Sequence, residues 1–158
     1  MRKALTVHVR AKTLDASQID NGRAMHALDN ARIEDILELV KINRSLIHGI
    51  GIFGSQAIKA NTRIWTCTPG FDLDLDPNAL EQHPAHFRET MLHYGYIDPR
   101  RRRFILCCDD CRFINHSDTP NVRVDLEREL YGVDFAAREI QAGEELTVDY
   151  GIVEGRRR

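Results

Sequence analysis

Between residues 39 and 149 the chain never holds one hydrophobic period for long. Stretches rich in β-formers keep stopping at Gly, Pro, Asn or Asp, which predicts strands over 39–44, 50–54, 62–68, 103–109, 121–125, 130–137 and 145–149. Thr62-Arg63-Ile64-Trp65-Thr66 and Glu145-Leu146-Thr147-Val148-Asp149-Tyr150 are the richest in β-formers, and Gln141-Ala142-Gly143-Glu144 reads as a turn. One segment breaks the pattern. Asp76-Pro77 opens a helix, with Leu80, Phe87, Met91 and Leu92 as its apolar face and Gly95 at its end. Pro84 should break or kink it. The predicted architecture is therefore mostly β, with a helical insertion at about 76–96.

Size and charge narrow the function. A chain of 158 residues suits one domain and can bury roughly 68–70% of its unfolded surface. With 22 Lys+Arg against 24 Asp+Glu, it has no wholesale attraction to nucleic acid or membranes. No apolar run approaches the roughly 20 residues that span a bilayer. The start, Met1-Arg2-Lys3-Ala4-Leu5, leads into no secretory core, so Cys67, Cys107, Cys108 and Cys111 read as reduced thiols in a cytoplasmic protein. Residues 1–38 read as an extension, with a turn at Asp20-Asn21-Gly22 and a short helix near Met25, Leu28 and Ala31; residues 152–158 read as a basic tail.

His48-Gly49-Ile50-Gly51-Ile52-Phe53-Gly54 contains a literal G-x-G-x-x-G. A dinucleotide loop needs a buried strand before it and a long helix after it. Here the preceding segment is half polar, and the following one runs into a β-rich stretch. The better reading is a loop whose glycines bring main-chain groups against a ligand. Phe113-Ile114-Asn115-His116-Ser117, followed by Pro120-Asn121, taken alone reads as a turn with a satisfied histidine.

Three segments in order change that reading. Arg44–Gly54 with Ile58 and Thr62–Trp65, then Arg112–Ser117 with Pro120-Asn121, then Ala137–Gly151 together resemble the SET-domain family of protein-lysine methyltransferases. The likeness covers about 39–151 and is nearest to small bacterial stand-alone members. It implies short β-sheets, with the Asn115-His116-Ser117 segment threaded beneath the C-terminal loop as a pseudoknot. It also implies S-adenosyl-L-methionine on one side and a lysine of a protein or peptide substrate entering from the other. By the same likeness His48, Gly49, Ile50, Gly51, Trp65, Arg112, Phe113, Asn115, His116 and Tyr150 bind the cofactor. Tyr150 is the catalytic residue, and Val148, Tyr94 and Tyr96 line the substrate channel.

The chemistry suits such a site. A lysine amine must be neutral to accept a methyl, yet near pH 7 only about one in 10³ is, given a pKa near 10.4. A dry channel beside a positive sulfonium disfavours the ammonium. A phenol can orient the amine, and main-chain carbonyls can hold the methyl by weak C–H···O contacts. Relatives often carry a cysteine-rich zinc segment after the tyrosine; Gly151–Arg158 has none, so residues 1–38, the insertion or a homodimer partner must close the channel. Val148 stands where relatives often place Phe or Tyr; a smaller residue there admits higher methylation unless a tyrosine elsewhere compensates, which leaves the degree of methylation open.

Other features read as structural. Cys108-Asp109-Asp110-Cys111 lacks the four ligands of a zinc site, so no metal is expected. Arg100–Arg103 caps a hairpin, nucleic acid being at most an indirect partner, and Glu144-Glu145 is a solvated turn. A catalytically silent module that binds a basic peptide is the alternative.

Overall fold

A computed structural model describes residue 36 and residues 38–155. The extension expected at 1–38 lies almost wholly outside them, as do the helix near Met25 and the Arg156–Arg158 tail. The strands sort into two pairs and two three-stranded sheets. β1 (Val40–Arg44) and β2 (Ile50–Gly54) form an antiparallel hairpin. Ser45 shapes its turn, its hydroxyl accepting from Ile47 N at 2.9 Å and His48 N at 3.2 Å. After Gly54 the chain bends and turns to β3 (Arg63–Thr66), with no helix between. The dinucleotide reading ends there.

β3, β8 (Val122–Asp125) and β9 (Val133–Ala136) form an antiparallel sheet with β9 in the centre. A second sheet has β6 (Arg103–Leu106) between β4 (Leu73–Leu75) and β5 (Tyr96–Asp98). Ile52, Ile58, Ile64, Ile105, Val122, Ile140 and Leu146, all fully buried, fill the core. These β-branched and aliphatic side chains suit a pleated surface and supply most of the stability through removal of apolar area from water.

The insertion departs from expectation. It forms two helices, α1 (Asn78–Glu81) and α2 (Ala85–Tyr94), with Pro84 capping the second. Proline cannot continue α1, so the helix restarts on a new axis and the predicted apolar face is divided. Leu80 is buried, whereas Phe87 and Leu92 are exposed and no residue of α2 is buried. β4 and β5, three residues each, are too short to announce themselves. The strand expected at 145–149 shrinks to β10 (Thr147–Val148) because Asn121 takes its ladder partners. Asn121 Nδ2 donates to Glu145 O at 2.8 Å, and Thr147 N donates to Asn121 Oδ1 at 2.8 Å.

The β5–β6 hairpin turns on Asp98, which is 1% exposed. It accepts from Arg100 N at 2.7 Å, Arg101 N at 3.2 Å and the Arg100 guanidinium at 2.8 Å. Burial alone would raise its carboxyl, but Arg100 and these amides hold it below the usual carboxylate range. Asp98→Ala should cost about 2–3 kcal/mol, read as a lower urea midpoint. A folded-state pKa below the unfolded one means this contribution is present above the unfolded value and is lost on acidification.

Candidate active site

Two distant stretches meet at one place. β7 (Asn115–His116) pairs in parallel with β10, Asn115 opposite Thr147 and His116 opposite Val148. Asn115 is buried, and its amide nitrogen reaches Glu145 Oε1 at 2.7 Å, Ile50 O at 3.1 Å and His48 O at 3.3 Å. Glu145 Oε2 also accepts from the Ser45 hydroxyl at 3.0 Å. The glycine loop is thereby tied to the crossing by one amide and one carboxylate. Gly51 is required beneath them, since a Cβ there would collide with the Glu145 carboxylate and come within 3.0 Å of Asn115 Nδ2.

Glu144-Glu145 is thus no solvated turn. Arg138, the Gln141 N–H and the Asn121 amide hold the Glu144 carboxyl at about 2. Acid residues next to Gly143 read as turn surface because Asn121, Ser45 and Asn115, which reach them, lie far away in sequence. Asn115 likewise spends its donors inside the protein, which makes it the organiser of the loop.

Tyr150 begins a short helix, α3 (Tyr150–Val153), whose cap Asp149 accepts from Gly151 N at 2.8 Å. Its hydroxyl donates to Ile114 O at 2.7 Å, and its N–H donates to His116 Nδ1 at 3.2 Å. The two rings lie 5.3 Å apart. Burial, with Glu154 adding to it, raises the phenol above its ordinary value, so it stays protonated at neutral pH. Because the proton is committed to Ile114, the oxygen's lone pairs remain to accept.

A cavity of about 300 Å³ opens beside this tyrosine. Trp65, Tyr94, Tyr96, Arg112, Val148 and Tyr150 line it, so six residues assigned to the site come together there. Trp65 lines the same cavity as Tyr94, Tyr96 and Val148, the residues expected to form the channel. Val124, Tyr131 and Asp134 also line the cavity and carry no local sign of it, the inward direction of Val124 and Asp134 being set by the β3–β9–β8 register. Along one edge runs a chain of rings. His48 is 6.2 Å from His93, His93 is 4.6 Å from Tyr94, and Tyr94 is 5.8 Å from Phe113, over which Arg112 stacks at 4.7 Å. Beside it Gly49, with φ +49°, leaves its surroundings open. Exposed main chain, aromatic faces and a guanidinium suit a ligand that carries an amino acid and a base.

Short sheets, a parallel pairing of two distant strands and a tyrosine at the mouth of an aromatic-lined cavity describe a small mostly-β domain. The SET-domain family model matches residues 49–151, and the chain belongs to that family. A curated relative, the H3 lysine-36 specific histone-lysine N-methyltransferase of Candida albicans, is 30% identical over 128 residues, covering 72% of this chain. The chain spans only 14% of that relative's length. Among solved structures, a putative histone methyltransferase of Plasmodium falciparum is 24% identical with a TM-score of 0.51, covering 72% of this chain and 94% of that one. An apo mutant of Chaetomium thermophilum Polycomb Repressive Complex 2 is 20% identical with a TM-score of 0.53, covering 71% and 15%. At those identities the likeness is one of fold. No helix among the described residues is long and apolar enough to cross a membrane.

Proposed function

We propose that the protein is an S-adenosyl-L-methionine-dependent protein-lysine N-methyltransferase. The observation that supports it best is the crossing of Asn115-His116 with Thr147-Val148, which sets the Tyr150 phenol at the mouth of the cavity. In this reading the catalytic domain spans 39–151, threaded as a pseudoknot at the crossing, with 1–38 and 152–158 outside it. The main chain of His48–Gly51 and the His48, Arg112 and Phe113 side chains hold the cofactor, which Asn115 serves by fixing the loop. When bound, S-adenosyl-L-methionine would supply a sulfonium methyl for an amine to take, with the thioether as the leaving group.

The chain's own residues do the rest. Trp65, Tyr94, Tyr96 and Val148 strip water from a lysine side chain and so lower its preference for the charged form. The Tyr150 oxygen accepts from the amine and aims its lone pair, while the Ile114 carbonyl fixes the phenol. Positioning of reactants about 3 Å apart supplies most of the rate, so a strong base at the tyrosine is unnecessary. A cytoplasmic location and a homodimer that closes the channel belong to the same proposal.

Incubation with radiolabelled cofactor and a panel of basic proteins should label lysines. No labelling, together with no cofactor binding by calorimetry, overturns the proposal. Peptide binding without cofactor binding identifies a silent module instead. Val148→Phe fills part of the cavity, so mass spectrometry of the product should show fewer methyl groups per lysine at comparable turnover.

A further inference from the structure

The sheet that floors the cavity carries an unexplained charge. Asp134 lies on β9, the central strand, opposite Trp65 on β3 and Val124 on β8. All three line the cavity, forming one row across the sheet. Trp65 is buried and its indole Nε1–H has no hydrogen-bond partner among the described residues. Among the described residues no hydrogen bond or ion pair reaches the Asp134 carboxylate either. Tyr131, close in sequence, sends its hydroxyl to Asp74 Oδ2 at 2.7 Å instead.

Buried polar groups in folded proteins find partners, so the lone indole N–H, beside a half-buried carboxylate that faces the cavity without one, calls for an account. The phenols of Tyr96 and Tyr131 and the thiols of Cys107 and Cys111 line the same space, and burial raises all four above their ordinary values. His93, Arg112, Tyr150 and Glu154 also line it, Arg112 being stacked on Phe113. Among the described residues no cation pairs with Asp134. A half-buried carboxylate with no protein partner among the described residues, facing a cavity walled by aromatic side chains, suits an entering ammonium with N–H donors to give.

We propose that Asp134 accepts the proton that an incoming lysine ammonium must shed before its nitrogen can act as a nucleophile, an inference that rests on the methyltransferase reading. An N–H bond of the ammonium breaks, its electron pair stays on nitrogen, and an O–H bond forms on Asp134. An ion pair becomes a neutral pair, which a water-poor cavity favours. Val148 and Val124, both small, line the cavity together with Tyr150 and Asp134. Burial brings the carboxyl up to about 7, within reach of a proton at working pH.

The test is the pH profile of kcat/KM for the wild type, Asp134→Asn and Asp134→Glu. With Asp134 as acceptor, the wild type should reach a plateau near pH 7. The Asn variant should be down by roughly 10²-fold at pH 7. It should recover with unit slope as the free amine loses its own proton near pH 10. The Glu variant should restore the plateau. Melting without cofactor or substrate gives a second readout. A carboxyl whose pKa is raised on folding destabilises the fold when ionised, so the wild type should fall a few degrees below the Asn variant between about pH 4 and 7. Parallel pH–rate profiles, with activity lowered by the same factor throughout, overturn the assignment of Asp134 while leaving the methyltransferase reading intact. Absence of labelling by the wild type overturns both.

Discussion

Tyr150→Phe should lower kcat by about 10²–10³-fold, the usual cost of removing one preorganised hydrogen-bonding group from a reacting centre. Cofactor affinity should change little, because the tyrosine ring and its N–H bond to His116 remain. The variant loses only an oxygen that donates to Ile114 O and can accept from an amine. Single-turnover methylation with the substrate identified by labelling measures the first effect, and calorimetry measures the second. Unchanged turnover would remove Tyr150 from the chemistry. A parallel loss of cofactor affinity would give it a binding role instead.

Asn115→Ala should act on the whole site. Its amide is the shared partner of Glu145 and of the carbonyls of His48 and Ile50. Removing it leaves a carboxylate oxygen without its nearest donor and releases the glycine loop. Leaving such groups unpaired costs about 3 kcal/mol, and the networked charge makes the figure larger rather than smaller. Urea unfolding should show that loss, and cofactor affinity should fall by more than about 10²-fold. Asn115→Asp should be worse, since it sets one carboxylate against another. Affinity within a few-fold of wild type would mean that something other than this amide places the loop.

Much of this was legible in the order of residues. The short β-rich runs foretold a mostly-β fold, and three ordered segments pointed to one family before any coordinates. Local pattern failed where partners are remote. Glu145 looks like turn surface until Ser45 and Asn115 arrive from elsewhere. Asn121 looks like part of a Pro-Asn turn, yet it replaces a ladder between strands. Asp134 sits in an apolar strand with no local sign of direction, and only its register with Trp65 aims it at the cavity. The helical insertion misled for a different reason. Its apolar residues are spaced for one long face, but Pro84 turns the second half onto the surface.

That surface helix carries Leu92, His93 and Tyr94, which rim the cavity, yet none of its residues is anchored in the core. Its amides should be among the earliest to exchange with deuterium, since opening it exposes little buried apolar area. The doorway is thus the part of the molecule that can be rewritten most cheaply. On the methyltransferase reading proposed above, selection can vary which polypeptide is admitted without touching the strands that hold the reacting groups.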